Sequence, residues 1–498
     1  MQFRLKSRNF VTIDLIHHFL YKKLFGDTII YGIGAVLPRL INYGFLKFFT
    51  SVLDKEGFSF YADMYAISFL LISILTFGLE SAYFRFVYKQ KNTDRNKVFS
   101  SGILSLLFIA LTFLTIVMFF VKEISYFAGY EAHREYFSMF FLIIFFETIS
   151  SLPMAWLRIH NKALRYTLIR IINACLQAFV TFWLLSGNSE SPADFFSFLN
   201  GIKGYTDKTG YIFYANMIAS IISFLCLFDI IIKIRFKKFR LKLALEMLAY
   251  GTSIMLGTLA FAINENLDKI LIKRWLSDEV NGAYAACYRI AAFMALYATA
   301  FRLGIEPFYF RKAKDANAKE TYSQLTYLFT LFGTVFFALL WSNLNWISHF
   351  MIGANYQSAR NIIPVIMMAN LFLGIYTNLS ITYKVKDRPI IGTYISLIGA
   401  LVTVLSNFLM IQQLGYVASA WGTLVSYGSM MLISYWWGQK YYRINYPVTQ
   451  LCGHLILGVL VGYCLGEKFP YYNVIGQLLY LYVVFFIEKS TLIKILHG

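Results

Sequence analysis

The stretch "GLESAYFRF", Gly78–Phe86, closes an apolar run and leads into the basic segment "VYKQKNTDRNK". At "GIEPFYFRK", Gly304–Lys312, 226 residues further on, nearly the same words return, matching at Gly78/Gly304, Glu80/Glu306, Tyr83/Tyr309, Phe84/Phe310 and Arg85/Arg311. Upstream, "YADMY" from Tyr61 echoes "YAACY" from Tyr284, and "FGDTIIYG" from Phe25 echoes "YGTSIMLG" from Tyr250. Three matches in one order, at offsets of 223 to 226 residues, mark an internal repeat.

The composition says what is repeated. Hydrophobic residues are 58% of the 498 and charged ones 14%, against roughly 45–50% and 25% in soluble domains. With a mean hydropathy of +0.58, the apolar surplus exceeds what one globular core hides, so the chain is an integral membrane protein. Each crossing takes about 20 apolar residues. The runs predict about fourteen transmembrane helices, near 27–50, 59–82, 98–121, 136–156, 167–185, 210–232, 246–268, 283–305, 323–346, 361–383, 390–411, 417–437, 448–466 and 472–488. They lack strict alternation and are twice a barrel strand's length, which excludes a β-barrel.

The net charge of +19 follows the membrane. With the N-terminus inside, the inner loops hold roughly 29 Lys and Arg and the outer ones roughly 10, which predicts both termini on the cytoplasmic side of the inner membrane. The richest loop, "KIRFKKFRLK" at Lys233–Lys242, reads as a topogenic segment touching anionic lipid, with no nucleic-acid role. Five cysteines lie in apolar runs without CxxC spacing, so no disulfide framework or metal site is expected. The first residues carry Arg4, Lys6, Arg8, Asp14, Lys22 and Lys23. They read as an interfacial segment, not a signal peptide.

An even number of crossings separates the two copies, so both lie on one face of the membrane. This predicts a parallel repeat about an axis along the membrane normal: an all-α polytopic protein of two six-helix bundles plus two C-terminal helices. The expected boundaries are 1–26 for the N-terminal segment, 27–232 and 246–437 for the bundles, 233–245 for the basic linker and 438–498 for the remainder. Parallel duplication around a central site is the plan of alternating-access transporters.

On the residues "GLESAYFRF" and "NLDKILIKRWLSDEVNGAYAACYRIA", Asn266–Ala291, and on the helix count, the chain resembles the polysaccharide transporter family. These are the O-antigen type flippases of the multidrug/oligosaccharidyl-lipid/polysaccharide exporter superfamily. The resemblance implies a flippase, not an enzyme, moving a polyprenyl-diphosphate-linked oligosaccharide from the inner to the outer leaflet for surface polysaccharide synthesis. It also implies a monomeric carrier among membrane lipids, with a glycan polymerase as partner, no cofactor, and H+ or Na+ as the candidate coupling ion. The rivals are an ion-coupled exporter of organic cations and a membrane-embedded polymerase or ligase. The outer loops are too sparse for the latter, and no catalytic triad or phosphate loop is present.

A diphosphate needs a hydrated cationic cavity between the halves. Arg39 falls about 18 Å into the first helix, where a charge costs roughly 2.5–3.5 kcal/mol unless water, an acid or a phosphate compensates. It either meets substrate or pairs with a buried acid such as Glu147, and Pro38 beside it reads as a hinge. Arg289 and Arg302 on the eighth helix are further diphosphate ligands by chemistry, though Arg302 could equally snorkel to headgroups. On the seventh helix Asn264, Glu265 and Asp268 read either as an ion-coupling site or as a polar cap at the outer end. Glu80, Arg85, Glu306 and Arg311 are expected beside the cytoplasmic mouth as a gate, with Pro307 breaking the second copy where Ser81 continues the first.

Overall fold

A computed structural model describes residues 30–89, 94–186, 208–312, 315, 317–386, 388 and 390–497. The expected interfacial segment 1–26 and the polar connection after Ser186 lie outside these residues. Among the described residues there is no β-strand, and every one of the fourteen expected crossings is occupied by a helix.

We number them α1 (30–44, resuming as Leu46–Val52), α2 (Lys55–Leu75, resuming as Leu79–Lys89), α3 (Arg95–Phe119), α4 (Arg134–Ile159), α5 (Ala163–Ser186), α6 (Thr209–Leu225), α7 (Leu241–Trp275) and α8 (Asp278–Lys312). The series continues with α9 (Ala318–Ser342), α10 (Ile362–Leu379, resuming as Ile381–Lys384), α11 (Ile390–Leu414), α12 (Tyr416–Tyr441), α13 (Val448–Tyr463) and α14 (Asn473–His497). Ten helical spans among the described residues are long and apolar enough to cross a membrane. Starts follow local chemistry: the Asp54 carboxylate accepts the amide of Gly57 (2.8 Å) at the head of α2, and that of Asp94 accepts the amide of Asn96 (3.0 Å) before α3. Large side chains such as Phe108, Phe408 and Phe486 stand exposed on the outer surface of the bundle. In a bilayer this is lipid-facing surface; in water it would be an aggregation patch.

The repeat is visible in the packing. The pairs α2/α4, α3/α4, α4/α6 and α5/α6 return, shifted by six helices, as α8/α10, α9/α10, α10/α12 and α11/α12. The halves meet where α2 packs on both α7 and α8, and α13 and α14 lie against α9. The two extra helices therefore lean on the second half.

Two local expectations are corrected. The second copy of the motif runs unbroken through Pro307 to Lys312, whereas the first breaks at Phe77 and Gly78, with φ of 50° and 62°. The reason is a crossing: a Cβ on Gly78 would lie 2.4 Å from the Gly251 carbonyl oxygen, and one on Gly251 2.2 Å from that of Phe77. Only glycine on both strands of the crossing lets α2 and α7 touch, and the left-handed turn costs glycine little. Likewise α1 stays helical through Pro38 and turns at residue 45 instead.

Candidate functional site

A cavity of ≈ 640 Å³ lies among α1, α2, α4, α5 and α6 of the first half, with α7 of the second half as its remaining wall. Its charged lining is Arg39, Arg170, Glu147 and Glu80. Arg39 reaches across to the second half, donating from Nη1 to Oγ1 of Thr299 on α8 at 3.4 Å. Among the described residues no ion pair joins Arg39 to Glu147. Arg170 of α5 lines the cavity together with Glu147, and sequence reasoning passed over Arg170 because it falls near a predicted helix start. Glu80 is already matched: Arg158 of α4 donates to it at 2.5 Å. The free balance in the cavity is therefore two guanidinium groups against one carboxylate.

Of the three arginines expected to bind a diphosphate, only Arg39 lines this cavity. Arg289 lies over the rings of Tyr61 (4.6 Å) and Phe58 (5.0 Å) of α2, where its charge is held by aromatic faces of the opposite half. Arg302 is exposed on α8 about three turns before its end, beside Thr377 and Lys384. The angular separation of the two on α8 keeps them apart.

Of the expected mouth residues, the two described ones, Glu80 and Arg85, take separate partners. Glu80 pairs within its own half, and Arg85 stacks on Tyr250 of α7 at 4.1 Å. The side chains of Glu306 and Arg311 lie outside the described ones.

The α7 stretch is not a cap at the outer end. The helix continues to Trp275, ten residues past Glu265, because Ile270, Leu271 and Ile272 resume the apolar pattern after the charges. Asn264 and Asp268 are 1% and 2% exposed, inside the second half. Glu265 accepts hydroxyls from Tyr427 (2.7 Å) and Tyr288 (3.1 Å). Asp268 accepts Tyr284 (2.6 Å) and Lys269 (3.0 Å), and the Lys269 ammonium sits 3.6 Å from the Tyr288 ring centroid. Asn264 accepts Thr403 of α11 at 2.8 Å. Buried charges persist only when paired in this way. No group of three or more His, Cys, Asp or Glu side chains with metal-binding geometry occurs among the described residues.

At the end of the bundle opposite the basic 233–240 connection, the halves are tied by polar contacts. Arg274 of α7 meets the fully buried Asp63 of α2 at 2.8 Å. Ser59 donates to Asp278 at 2.7 Å, and the Tyr356 hydroxyl donates to the carbonyls of Leu53 (3.0 Å) and Asp54 (2.6 Å). At the basic end the contacts between halves are apolar and aromatic: the Gly78/Gly251 crossing, the packing of Met247 of α7 in the first-half core beside Gly102 of α3, and the Tyr250 stack.

The family profile described as polysaccharide biosynthesis protein matches residues 24–301, and that described as MatE matches 253–409. Among curated proteins, none matches the chain in sequence. Among solved structures, the chain is similar to a lipid II flippase MurJ in an inward closed conformation, at 16% identity and a TM-score of 0.71, covering 94% of this chain and 100% of that one. It is also similar to a multidrug resistance MATE family transporter in its inward-facing form, at 11% identity and a TM-score of 0.62, with 86% and 96% covered. The outward-facing form of such a transporter gives 13% identity and a TM-score of 0.59, with 86% and 95% covered. With more than half of its length matched by one family profile, and with the fold of a membrane transporter, the chain belongs to the polysaccharide biosynthesis protein family.

Proposed function

We propose that the chain is an alternating-access flippase that carries a polyprenyl-diphosphate-linked oligosaccharide from the cytoplasmic to the outer leaflet of the inner membrane, both termini being cytoplasmic. The observation that carries this is the membrane-depth cavity holding Arg39 and Arg170 against the single unmatched carboxylate of Glu147. A diphosphate with about two negative charges restores the missing anion, and guanidinium offers it forked donors. The ≈ 640 Å³ accommodates the diphosphate and the first sugars, and the lipid tail stays between helices. The ties at the Asp63 end hold the outer side shut while the cavity loads from the basic end. In the same reading Glu80 with Arg158, and Arg85 with Tyr250, rearrange at the inner mouth, and the half-buried Glu265 with the buried Asp268 takes the coupling H+ or Na+.

The test is transport of a labelled undecaprenyl-diphosphate glycan in proteoliposomes. The reading expects flipping by the wild type and loss in Arg39→Ala; unchanged flipping in the variant removes the phosphate role. A second reading, an exporter of organic cations, is favoured by Glu147 standing in the same cavity as Phe69, Tyr166 and Phe261. Efflux of a cationic dye, abolished by Glu147→Gln and indifferent to Arg39→Ala, would select it.

A further inference from the structure

At the end of the bundle opposite the basic connection, a second cavity, of ≈ 430 Å³, lies where the end of α13 meets the end of α9 and the start of α10. The local fold explains it. The chain leaving α13 is drawn hard against α9: a Cβ on Gly462 would lie 2.8 Å from the Trp341 ring, and one on Gly466 2.8 Å from the Trp341 carbonyl oxygen. At that contact the helix widens into a single π turn, Cys464–Lys468, closed by the Phe469 amide donating to the Cys464 carbonyl at 2.8 Å. Such single turns recur at functional sites. Here Glu467 and Lys468 of the π turn line the cavity together with Tyr463.

The opposite wall is fixed by polar contacts. Arg360, just before α10, donates from Nη1 to Oδ1 of Asn345 at 2.8 Å, and the Tyr416 hydroxyl of α12 donates to Oδ1 of Asn361 at 3.3 Å. A guanidinium carries five N–H donors, so that one contact orients Arg360 and leaves others for a ligand. Lys468 leans over the Tyr463 ring, 5.8 Å from its centroid. Among the described residues no ion pair joins Glu467 to Arg360 or Lys468. The cavity therefore presents two cations and, apart from them, one carboxylate, with Trp341 and Tyr463 as aromatic walls.

The surroundings give its depth. Trp346 and Phe350, stacked at 5.5 Å, and Tyr471 and Tyr472 stand exposed at the same end, and aromatic rings of this kind collect at the headgroup layer. The volume falls within the roughly 300–1,000 Å³ of small-molecule pockets. A cavity of that size and depth, offering charge of both signs, suits a headgroup that itself carries both. Guanidinium and ammonium hold a phosphate, and a carboxylate beside aromatic faces holds a primary ammonium.

We propose that this cavity binds the headgroup of a phosphatidylethanolamine lipid, Arg360 and Lys468 holding the phosphate and Glu467 accepting the ammonium. The bound lipid bridges the start of α10 to the end of α13, one of the two added helices. The reading does not depend on what the central cavity carries.

Native mass spectrometry of the full chain in detergent tests it, with phosphatidylethanolamine, phosphatidylcholine and phosphatidylglycerol added in turn at equal concentration. The wild type retains phosphatidylethanolamine in preference to the other two. Arg360→Gln/Lys468→Gln weakens that retention by roughly 30-fold, the contribution of two interfacial cations. Glu467→Gln lowers the preference for phosphatidylethanolamine over phosphatidylcholine by roughly fivefold, the scale of one exposed ion pair, and this ratio is insensitive to any general loss of stability. Arg235→Gln/Lys237→Gln in the basic connection changes neither. Equal retention of the three lipids, a preference for phosphatidylglycerol, or a preference untouched by the Glu467 or the Arg360/Lys468 variant overturns the proposal. Displacement of the lipid by free phosphoethanolamine at the lipid's own concentration overturns it as well, by assigning the site to a soluble ligand.

Discussion

Asp63 on α2 and Arg274 on α7, 211 residues apart in sequence, meet at 2.8 Å across the two halves, and the Tyr130 hydroxyl donates to the other Asp63 oxygen at 3.0 Å. Asp63 is fully buried and the Arg274 side chain about one-third exposed. The pair is therefore costly to leave half-made but can be rehydrated from one side when the halves separate.

Asp63→Ala should open the outer end. With both halves otherwise intact, a cysteine introduced at the buried Ala62 in a background free of native cysteines should react faster with a membrane-impermeant maleimide than in the parent. Removing one partner of a buried pair costs about 3–5 kcal/mol, enough to shift a two-state equilibrium between closed and open forms. The swap Asp63→Arg/Arg274→Asp should slow the labelling again, and equal rates in all three proteins would show that the pair does not hold the end shut.

Arg39 and Arg302 should differ in kind. Arg39→Ala should lower glycan-lipid transport by tenfold or more, the scale of one lost charge-assisted contact of about 1.5–3 kcal/mol, and Arg39→Lys should restore only part because a point charge replaces a fork. Arg302→Ala, removing an exposed cation away from the cavity, should leave transport within about twofold. Initial rates in proteoliposomes separate the two.

Glu265 should matter twice. Glu265→Ala leaves the Tyr288 and Tyr427 hydroxyls without their acceptor, at about 1–3 kcal/mol for each buried group, so the melting temperature in detergent should fall by several degrees. Glu265→Gln keeps an acceptor and should melt near the wild type while losing the dependence of transport on an imposed proton or sodium gradient. Retained gradient dependence in Glu265→Gln would move the coupling site elsewhere.

Asp94 should make the basic connection acid-sensitive. Its hydrogen bond from Lys238, then the Asn96 amide, holds its pKa below the ordinary 3.8. A lowered folded-state value stabilises the connection above that ordinary value and is lost as pH falls through the depressed one. Hydrogen exchange across 233–240 should rise below about pH 4, and Asp94→Asn should show the faster exchange already at neutral pH. Because Asp94 is largely solvated, the effect should stay local and shrink in high salt.

How much of this was legible in the chain divides along physical lines. Hydropathy averages over twenty residues and is set by transfer from water, so it placed all fourteen crossings. The echo of Gly78–Phe86 in Gly304–Lys312 placed the duplication, because an even number of crossings between the copies puts both on one face and makes the repeat parallel. Helix ends were less legible: charges at Asn264–Lys269 read as a terminus, when partners on α8, α11 and α12 make those charges tolerable inside.

What remained for the tertiary structure was every relationship between helices. Hydropathy does not register that Gly251 stands opposite Gly78, so the break at Phe77 and the continuity through Pro307 came from the crossing. Nor does it say which arginine faces water: Arg39 lines the cavity, Arg289 lies on Tyr61, and Arg170 joins unforeseen. The sequence by itself determined a duplicated helical bundle in a membrane, since burial against lipid is a property of each segment alone. Only the fold decided which charges meet, since pairing energy depends on distance, and distance is set by the packing of segments remote in the chain.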